Sequence, residues 1–95
     1  MAAYLVAELE VTDPAQFEEY RKGVPASIAA YGGRYIARGG AIEPLEGDWS
    51  PKRMVIVEFP SLAQAKAWYA SAEYRDLLAL RLKSAKTRAV LLEGL

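Results

Sequence analysis

Three charged residues stand in strand-like stretches where they could do chemistry. Glu8, Arg38 and Glu58 each follow an alternation of apolar and polar residues that is typical of a β-strand. Alternation puts each of them on a face that also carries apolar side chains. If the strands align in the usual register, the three charges meet near one end of a sheet. A desolvated carboxylate beside an arginine can accept a proton or orient a polar ligand, and the same groups can instead form an ion-pair network that fixes two sheets together.

A second candidate group is aromatic. Trp68, Tyr69 and Tyr74 fall close together in helical stretches, where they either line a pocket or simply belong to the core. The Tyr74 hydroxyl is a further group that could stabilise charge. The candidate catalytic residues are therefore Glu58, Glu8 and Tyr74, and the candidate ligand-binding residues are Arg38, Glu58, Glu8, Trp68, Tyr69 and Tyr74.

The strands and helices that must position these residues can be predicted from hydrophobic periodicity and from helix-capping residues. Strand patterns cover Ala3–Val11, Arg34–Arg38, Lys52–Phe59 and Thr87–Leu92, while helical patterns run from Asp13 to Tyr31, from Ser61 to Tyr69 and from Ser71 to Leu82. The order β-α-β-β-α-β predicts an α+β fold of the ferredoxin-like type, with a four-stranded antiparallel sheet. A chain of 95 residues has room for one such domain, which we assign to residues 1–95.

Three local details refine this outline. Pro25 lacks a backbone N–H, so we expect a kink or break in the first helix. Gly39-Gly40 predicts either a bulge that re-aims Arg38 or simply a bend in a long hairpin. The last helical stretch places Tyr74, Leu77, Leu78 and Leu82 on its apolar side.

The sheet has an apolar face that its own helices do not cover. Right-handed crossovers put both helical layers on one side of the sheet. Met54 and Ile56 then lie on the other side together with Tyr4 and Val6. An exposed apolar face marks an interface, and a second copy of the same sheet is the simplest cover. We therefore predict a homodimer formed through the sheet face.

Composition excludes several classes of function. The chain has 12 basic and 12 acidic residues, so its zero net charge argues against nucleic-acid and membrane partners. It has no His and no Cys, which removes the usual ligands of zinc and haem and the usual catalytic triads. No phosphate-binding glycine motif occurs. We expect no metal and no cofactor, and a soluble cytoplasmic protein, since the first residues lack the basic start of a signal peptide.

Four motifs in order connect the chain to a known family. They are Tyr31-Gly32-Gly33-Arg34-Tyr35-Ile36-Ala37-Arg38-Gly39-Gly40, Leu45-Glu46-Gly47-Asp48-Trp49, Val57-Glu58-Phe59-Pro60-Ser61 and Trp68-Tyr69-Ala70-Ser71-Ala72-Glu73-Tyr74. In this order they resemble the bacterial family known as domain of unknown function 1330, with Ala72 where proline is common. The resemblance implies two ferredoxin-like protomers packed sheet against sheet as a dimeric α/β barrel. It implies no activity, and relatives by fold include cofactor-independent monooxygenases, isomerases and haem-degrading enzymes.

Two functions remain open from the sequence, beside a purely structural role in which no cavity exists. The first is a homodimer that binds a small molecule, for example one bearing a carboxylate held by Arg38, in a pocket between sheet and helices. The second is a cofactor-independent enzyme in which Glu58 or Glu8 transfers a proton and Tyr74 or Arg38 stabilises charge.

Overall fold

The computed structural model describes residues 1–95 and has the predicted ferredoxin-like arrangement. Its elements are β1 (Ala3–Val11), α1 (Pro14–Ala30), β2 (Arg34–Arg38), β3 (Arg53–Phe59), α2 (Leu62–Tyr69), α3 (Ala72–Ser84) and β4 (Ala85–Glu93). The four strands form one antiparallel sheet in the order β2-β3-β1-β4. The two long strands β1 and β4 are neighbours, and β2 is an edge strand.

Helix α1 begins as its capping pattern predicts but does not break where expected. The Asp13 carboxylate accepts a hydrogen bond from the Gln16 backbone N–H at 3.3 Å and another from the Gln16 side chain at 2.8 Å. The helix then continues through Pro25 to Ala30. The loss of one backbone hydrogen bond at Pro25 is offset because Val24 and Ile28 on either side of it are buried in the core.

Two serines cap the two helices of the second helical region, as predicted. The Ser61 hydroxyl accepts from the Gln64 backbone N–H at 3.1 Å, and the Ser71 hydroxyl accepts from the Tyr74 backbone N–H at 3.2 Å. The chain therefore turns between α2 and α3. This turn brings the rings of Trp68 and Tyr74 to a centroid separation of 4.1 Å.

The bulge in β2 lies before the glycines rather than at them. Tyr35 pairs with Val57 but Ala37 pairs with Ile56, so Ile36 is the extra residue. The prediction of a bulge at Gly39-Gly40 is wrong: β2 has already ended there, and Gly39 has a φ of 69° beyond the end of the strand. Because one residue is inserted, every later side chain of β2 changes face.

The buried core lies between the helices and one face of the sheet. Its largest fully buried side chains are Val57, Phe59, Trp68 and Tyr74. The other face, which we call the outer face, carries no helix. Its apolar members include Val90 and Leu92, which are 61% and 58% exposed. None of the helices has the combination of length and apolarity that crossing a membrane requires.

Candidate functional site

A cavity of about 280 Å³ opens between the sheet and the helices. Strands β1 and β3 supply its floor through residues such as Leu5, Ala7 and Val55, while α1 and α3 supply its sides. Fourteen of its twenty lining residues are hydrophobic. The exposed side chains of Arg38 and Tyr69 mark where the cavity meets solvent. The fold therefore leaves an apolar chamber next to its own core.

The cavity is basic although the whole chain is neutral. Its charged lining residues are Arg21, Lys22, Arg38, Arg53, Arg81 and the single acid Glu18. Glu18 binds Arg21 at 3.2 Å, so its charge is locally matched. Lys22 is likewise paired with Glu19 at 3.2 Å, so Arg38, Arg53 and Arg81 are the groups that give the cavity a positive potential, which favours an anionic ligand.

Arg81 is the most unusual of these residues because it is only 7% exposed. Buried arginines are normally paired with a carboxylate. Arg81 forms no salt bridge, and its one side-chain hydrogen bond runs from Nε to the Tyr74 hydroxyl at 3.2 Å. The terminal nitrogens Nη1 and Nη2 therefore have no partner within the chain.

Two buried tyrosines extend the contact of Arg81 into a chain of polar groups. The hydroxyls of Tyr74 and Tyr20 share a hydrogen bond of 2.9 Å. Burial, together with the neighbouring Tyr74, raises the pKa of Tyr20 far above its ordinary value. An arginine keeps its proton at any physiological pH, so the burial of Arg81 is a cost that one hydrogen bond to the Tyr74 hydroxyl offsets in part. Tyr20 is thus neutral and Arg81 charged at any physiological pH.

Two more arginines face the cavity without a carboxylate partner. The Arg38 guanidinium lies 4.5 Å from the centroid of the Tyr35 ring, and the Arg53 guanidinium lies 5.5 Å from that of Phe17. The Arg53 Nε atom is buried and has no hydrogen-bond partner. Burial raises the pKa of Tyr35, while the nearby Arg38 acts in the opposite direction. Arg38 is therefore a cavity residue, as one of the two hypotheses from the sequence requires.

The predicted meeting of Glu8, Arg38 and Glu58 is wrong. The bulge at Ile36 places Arg38 opposite Val55, on the helix side of the sheet, whereas both glutamates lie on the outer face. The glutamates are also apart from each other. Glu58 lies opposite Tyr4 in β1, and Glu8 is four positions further along that strand, which corresponds to about 13 Å.

Each glutamate is instead held by a local partner on the outer face. Glu8 accepts from Arg88 at 2.8 and 3.0 Å and from the Trp49 indole at 3.1 Å. Glu58 accepts from Arg34 at 2.8 Å and from the Tyr4 hydroxyl at 3.3 Å. The hydrogen bond from the arginine is the main cause that lowers the pKa of each glutamate. A proton acceptor near neutral pH needs a raised pKa, so these pairings favour the ion-pair interpretation.

The three aromatic candidates do line the cavity. Trp68 is fully buried and its indole N–H donates to the Ser27 hydroxyl at 3.1 Å, so it serves the core as well as the cavity wall. Tyr74 carries the hydroxyl that joins Tyr20 to Arg81, and Tyr69 is half-exposed. No three acidic side chains come together in a group that could hold a metal ion.

Arg81 is the residue that the sequence analysis missed. The signal was present, because a residue seven positions after Tyr74 lies on the same face of a helix. Leu82 was assigned to the apolar face instead, yet it is 67% exposed. A charged residue on an apolar stripe could have identified Arg81 as the exception that needs an explanation.

The sequence decides the family. Residues 2–95 match the family described as domain of unknown function (DUF1330). The chain belongs to the DUF1330 family. The resemblance carried by the four motifs is thereby confirmed. No curated protein matches the chain.

Solved structures share the fold of this DUF1330 protein at low sequence identity. A protein of unknown function from Rhodopseudomonas palustris has a TM-score of 0.81 at 17% identity, over 99% of this chain and 82% of that one. A dimeric ferredoxin-like protein of unknown function from Thermobifida fusca has a TM-score of 0.69 at 19% identity, over 99% and 92%. SnoaB, a cofactor-independent oxygenase from Streptomyces nogalater, has a TM-score of 0.68 at 14% identity, over 99% and 93%. Identities this low establish the ferredoxin-like fold and nothing about activity.

The outer-face ion pairs of the DUF1330 protein predict an acid-sensitive contribution to stability. Because Glu58 has a lower pKa when folded than its ordinary value of 4.5, its stabilising effect is complete above that pH. The effect is lost as the pH falls from 4.5 through the lower folded pKa. We expect the melting temperature of Glu58→Gln to fall less steeply than that of the wild type over this interval. Thermal melts of both proteins at pH 7 and pH 3 measure this fall in melting temperature. An equal fall in the wild type and in Glu58→Gln would contradict the prediction.

Proposed function

We propose that this DUF1330 protein is a homodimer that binds a small molecule in the cavity between its sheet and helices. The observation that carries the proposal is the apolar, aromatic-lined cavity of about 280 Å³. Ligand pockets are typically ~300–1,000 Å³ and mainly hydrophobic, so this one is at the small end of the range. A molecule with one or two rings fits that size.

The polar part of the ligand would be held by basic side chains of the cavity. Arg38 is exposed at the opening and rests against the Tyr35 ring, which fixes its guanidinium beside the chamber. A carboxylate entering from solvent would meet Arg38 first. Trp68, Tyr69 and Tyr74 would contact the apolar part of the same molecule.

The dimer half of the proposal is supported by the outer face of the sheet. Val90 and Leu92 of β4 are exposed there, and the half-buried Ile56 and Met54 of β3 lie on the same face across β1. Structures of the same fold from Thermobifida fusca and Bacteroides fragilis are described as dimeric. A stable interface buries about 1,600 Å² in total, and a sheet face of this kind can supply it. The Glu8 and Glu58 ion pairs would then flank the apolar centre and fix the register of the two sheets.

Filling the cavity tests the binding half of the proposal. We expect 2-naphthamide, a neutral two-ring probe, to bind the wild type with one molecule per protomer in a calorimetric titration. Val55→Phe puts a larger side chain into the cavity and should weaken that binding about tenfold or more, because overfilling a site costs ~1–3 kcal/mol. Ala79→Phe, at an exposed position of α3 outside the cavity, is the matched control. Absence of naphthamide binding to the wild type, or equal affinity in Val55→Phe, would contradict the proposal.

A cofactor-independent enzyme is the second candidate, favoured by the Tyr74 hydroxyl and the Arg81 guanidinium side by side in the cavity. Such a pair can donate a hydrogen bond to an oxygen that becomes negative and so stabilise it. Glu8 and Glu58 lie across the sheet from the cavity and cannot act on a molecule inside it. Turnover of a bound molecule that is lost in Tyr74→Phe, while binding persists, would favour the enzyme.

A further inference from the structure

We infer that the ligand of the cavity is an apolar ring compound that carries a carboxylate, and that buried Arg81, rather than Arg38 at the opening, binds this carboxylate. The inference rests on the proposed binding function and names the class of molecule that the cavity takes. It assigns the polar end of the ligand to the inside of the protein and the ring system to the hydrophobic walls.

The hydrogen bonding of Arg81 leaves most of its guanidinium without an acceptor. A guanidinium has five N–H donors in a planar fork, and only Nε–H has an acceptor, the Tyr74 hydroxyl. This contact fixes the plane of the group and leaves the Nη1 and Nη2 edge free. Two parallel N–H groups on one edge match the two oxygens of a carboxylate. Arg81 is thus oriented by the protein for a partner that the protein does not supply.

The chain places its own carboxylates beside the arginines of the outer face and not beside those of the cavity. On the outer face, Arg34 and Arg88 each bind a glutamate at 2.8 Å, although both arginines are exposed. Inside the cavity, Arg38, Arg53 and Arg81 bind none. The protein therefore supplies glutamates to the arginines of its outer face and leaves these three cavity arginines without a carboxylate, including Arg81, which is shielded from water. That distribution fits a site built for an external anion.

Burial distinguishes Arg81 from Arg38. Arg38 is exposed and its attraction for an anion is screened by solvent. Arg81 is 93% buried among Tyr20, Tyr74 and apolar side chains, where an ionic hydrogen bond is stronger because the local dielectric constant is low. The largest part of the selectivity for an anion should therefore come from Arg81.

The experiment compares two probes of the same shape, 2-naphthoate and the neutral 2-naphthamide. We expect wild-type protein at pH 7 to bind the naphthoate at least about tenfold more tightly, the difference that one ionic hydrogen-bond pair typically makes. Arg81→Gln should bind both probes equally and keep the affinity of the wild type for the amide. Arg38→Gln tests the alternative placement of the carboxylate at the opening and should lower the preference for the acid less than Arg81→Gln does. Arg75→Gln, at an exposed position outside the cavity, is the matched control and should leave both affinities unchanged.

The outcomes separate this inference from the function on which it rests. If neither probe binds the wild type, the proposed binding function itself fails. If the amide binds as well as the acid, the binding function stands and the carboxylate inference is overturned. A preference that survives in Arg81→Gln but disappears in Arg38→Gln also overturns it. If Arg81→Gln does not fold, Arg81→Lys keeps the charge but not the fork, and an unreduced preference there would contradict bidentate binding.

Discussion

Ile56→Glu is expected to convert the proposed dimer into monomers, with a dissociation constant raised on the order of 1,000-fold or more. Ile56 lies in β3 on the outer face, between Val6 of β1 and Ala37 of β2, and so at the centre of the apolar surface. In a twofold interface one substitution appears twice, and both new carboxylates would lose water without gaining a partner. Light scattering after gel filtration at micromolar concentration measures the outcome.

The control for this substitution is Ala63→Glu, which places the same charge at an exposed position of α2 on the helix side. It should leave the dimer intact. Ile56→Glu should also leave the monomer folded, because it removes no residue from the core between sheet and helices. A dimer that persists in Ile56→Glu would show that the two protomers meet elsewhere.

Arg81→Met is expected to stabilise the protein by about 1–3 kcal/mol while it removes carboxylate binding. Arg81 places a charge in a 7% exposed position without an ionic partner, and methionine fills similar space without that cost. The substitution also removes the hydrogen bond to Tyr74, but Tyr74 keeps its bond to Tyr20. A gain in stability with a loss of function is typical of a residue selected for binding. Urea unfolding measures the change in free energy.

Arg75→Met on the same helix supplies the comparison, because Arg75 is exposed and has no partner. Its effect should stay within about 0.5 kcal/mol. If Arg81→Met instead destabilises the protein, Arg81 is needed to hold Tyr74 and Tyr20 in place. That result would favour a structural role for the whole polar chain.

The strands and the helix starts could be predicted because they depend on local chemistry. Alternation over Ala3–Val11 identifies β1 without reference to any other element. The caps at Asp13, Ser61 and Ser71 each satisfy backbone N–H groups only three residues away. The ferredoxin-like order followed from these elements, and the helices therefore covered only one face of the sheet, as predicted.

The site was harder to predict because it depends on non-local choices. The bulge at Ile36 exists only in the pairing of β2 with β3, and periodicity within Arg34–Arg38 cannot reveal it. The face assigned to Arg38 was therefore the wrong one. Arg81 was overlooked for a different reason: an arginine in an exposed helix and an arginine facing a cavity have the same sequence spacing, and only burial distinguishes them.

The single extra residue in β2 also has an evolutionary meaning. Loss of one codon at Ile36 would leave Ala37 opposite Ile56 and Arg38 opposite Val55, so β2 would pair regularly with Arg38 still in the cavity. A slip that paired Ile36 with Ile56 would instead place Ala37 inside the cavity and Arg38 on the surface that we assign to the second protomer. A shift of pairing by one residue could therefore exchange a ligand contact for a subunit contact, without any change in the amino acids themselves.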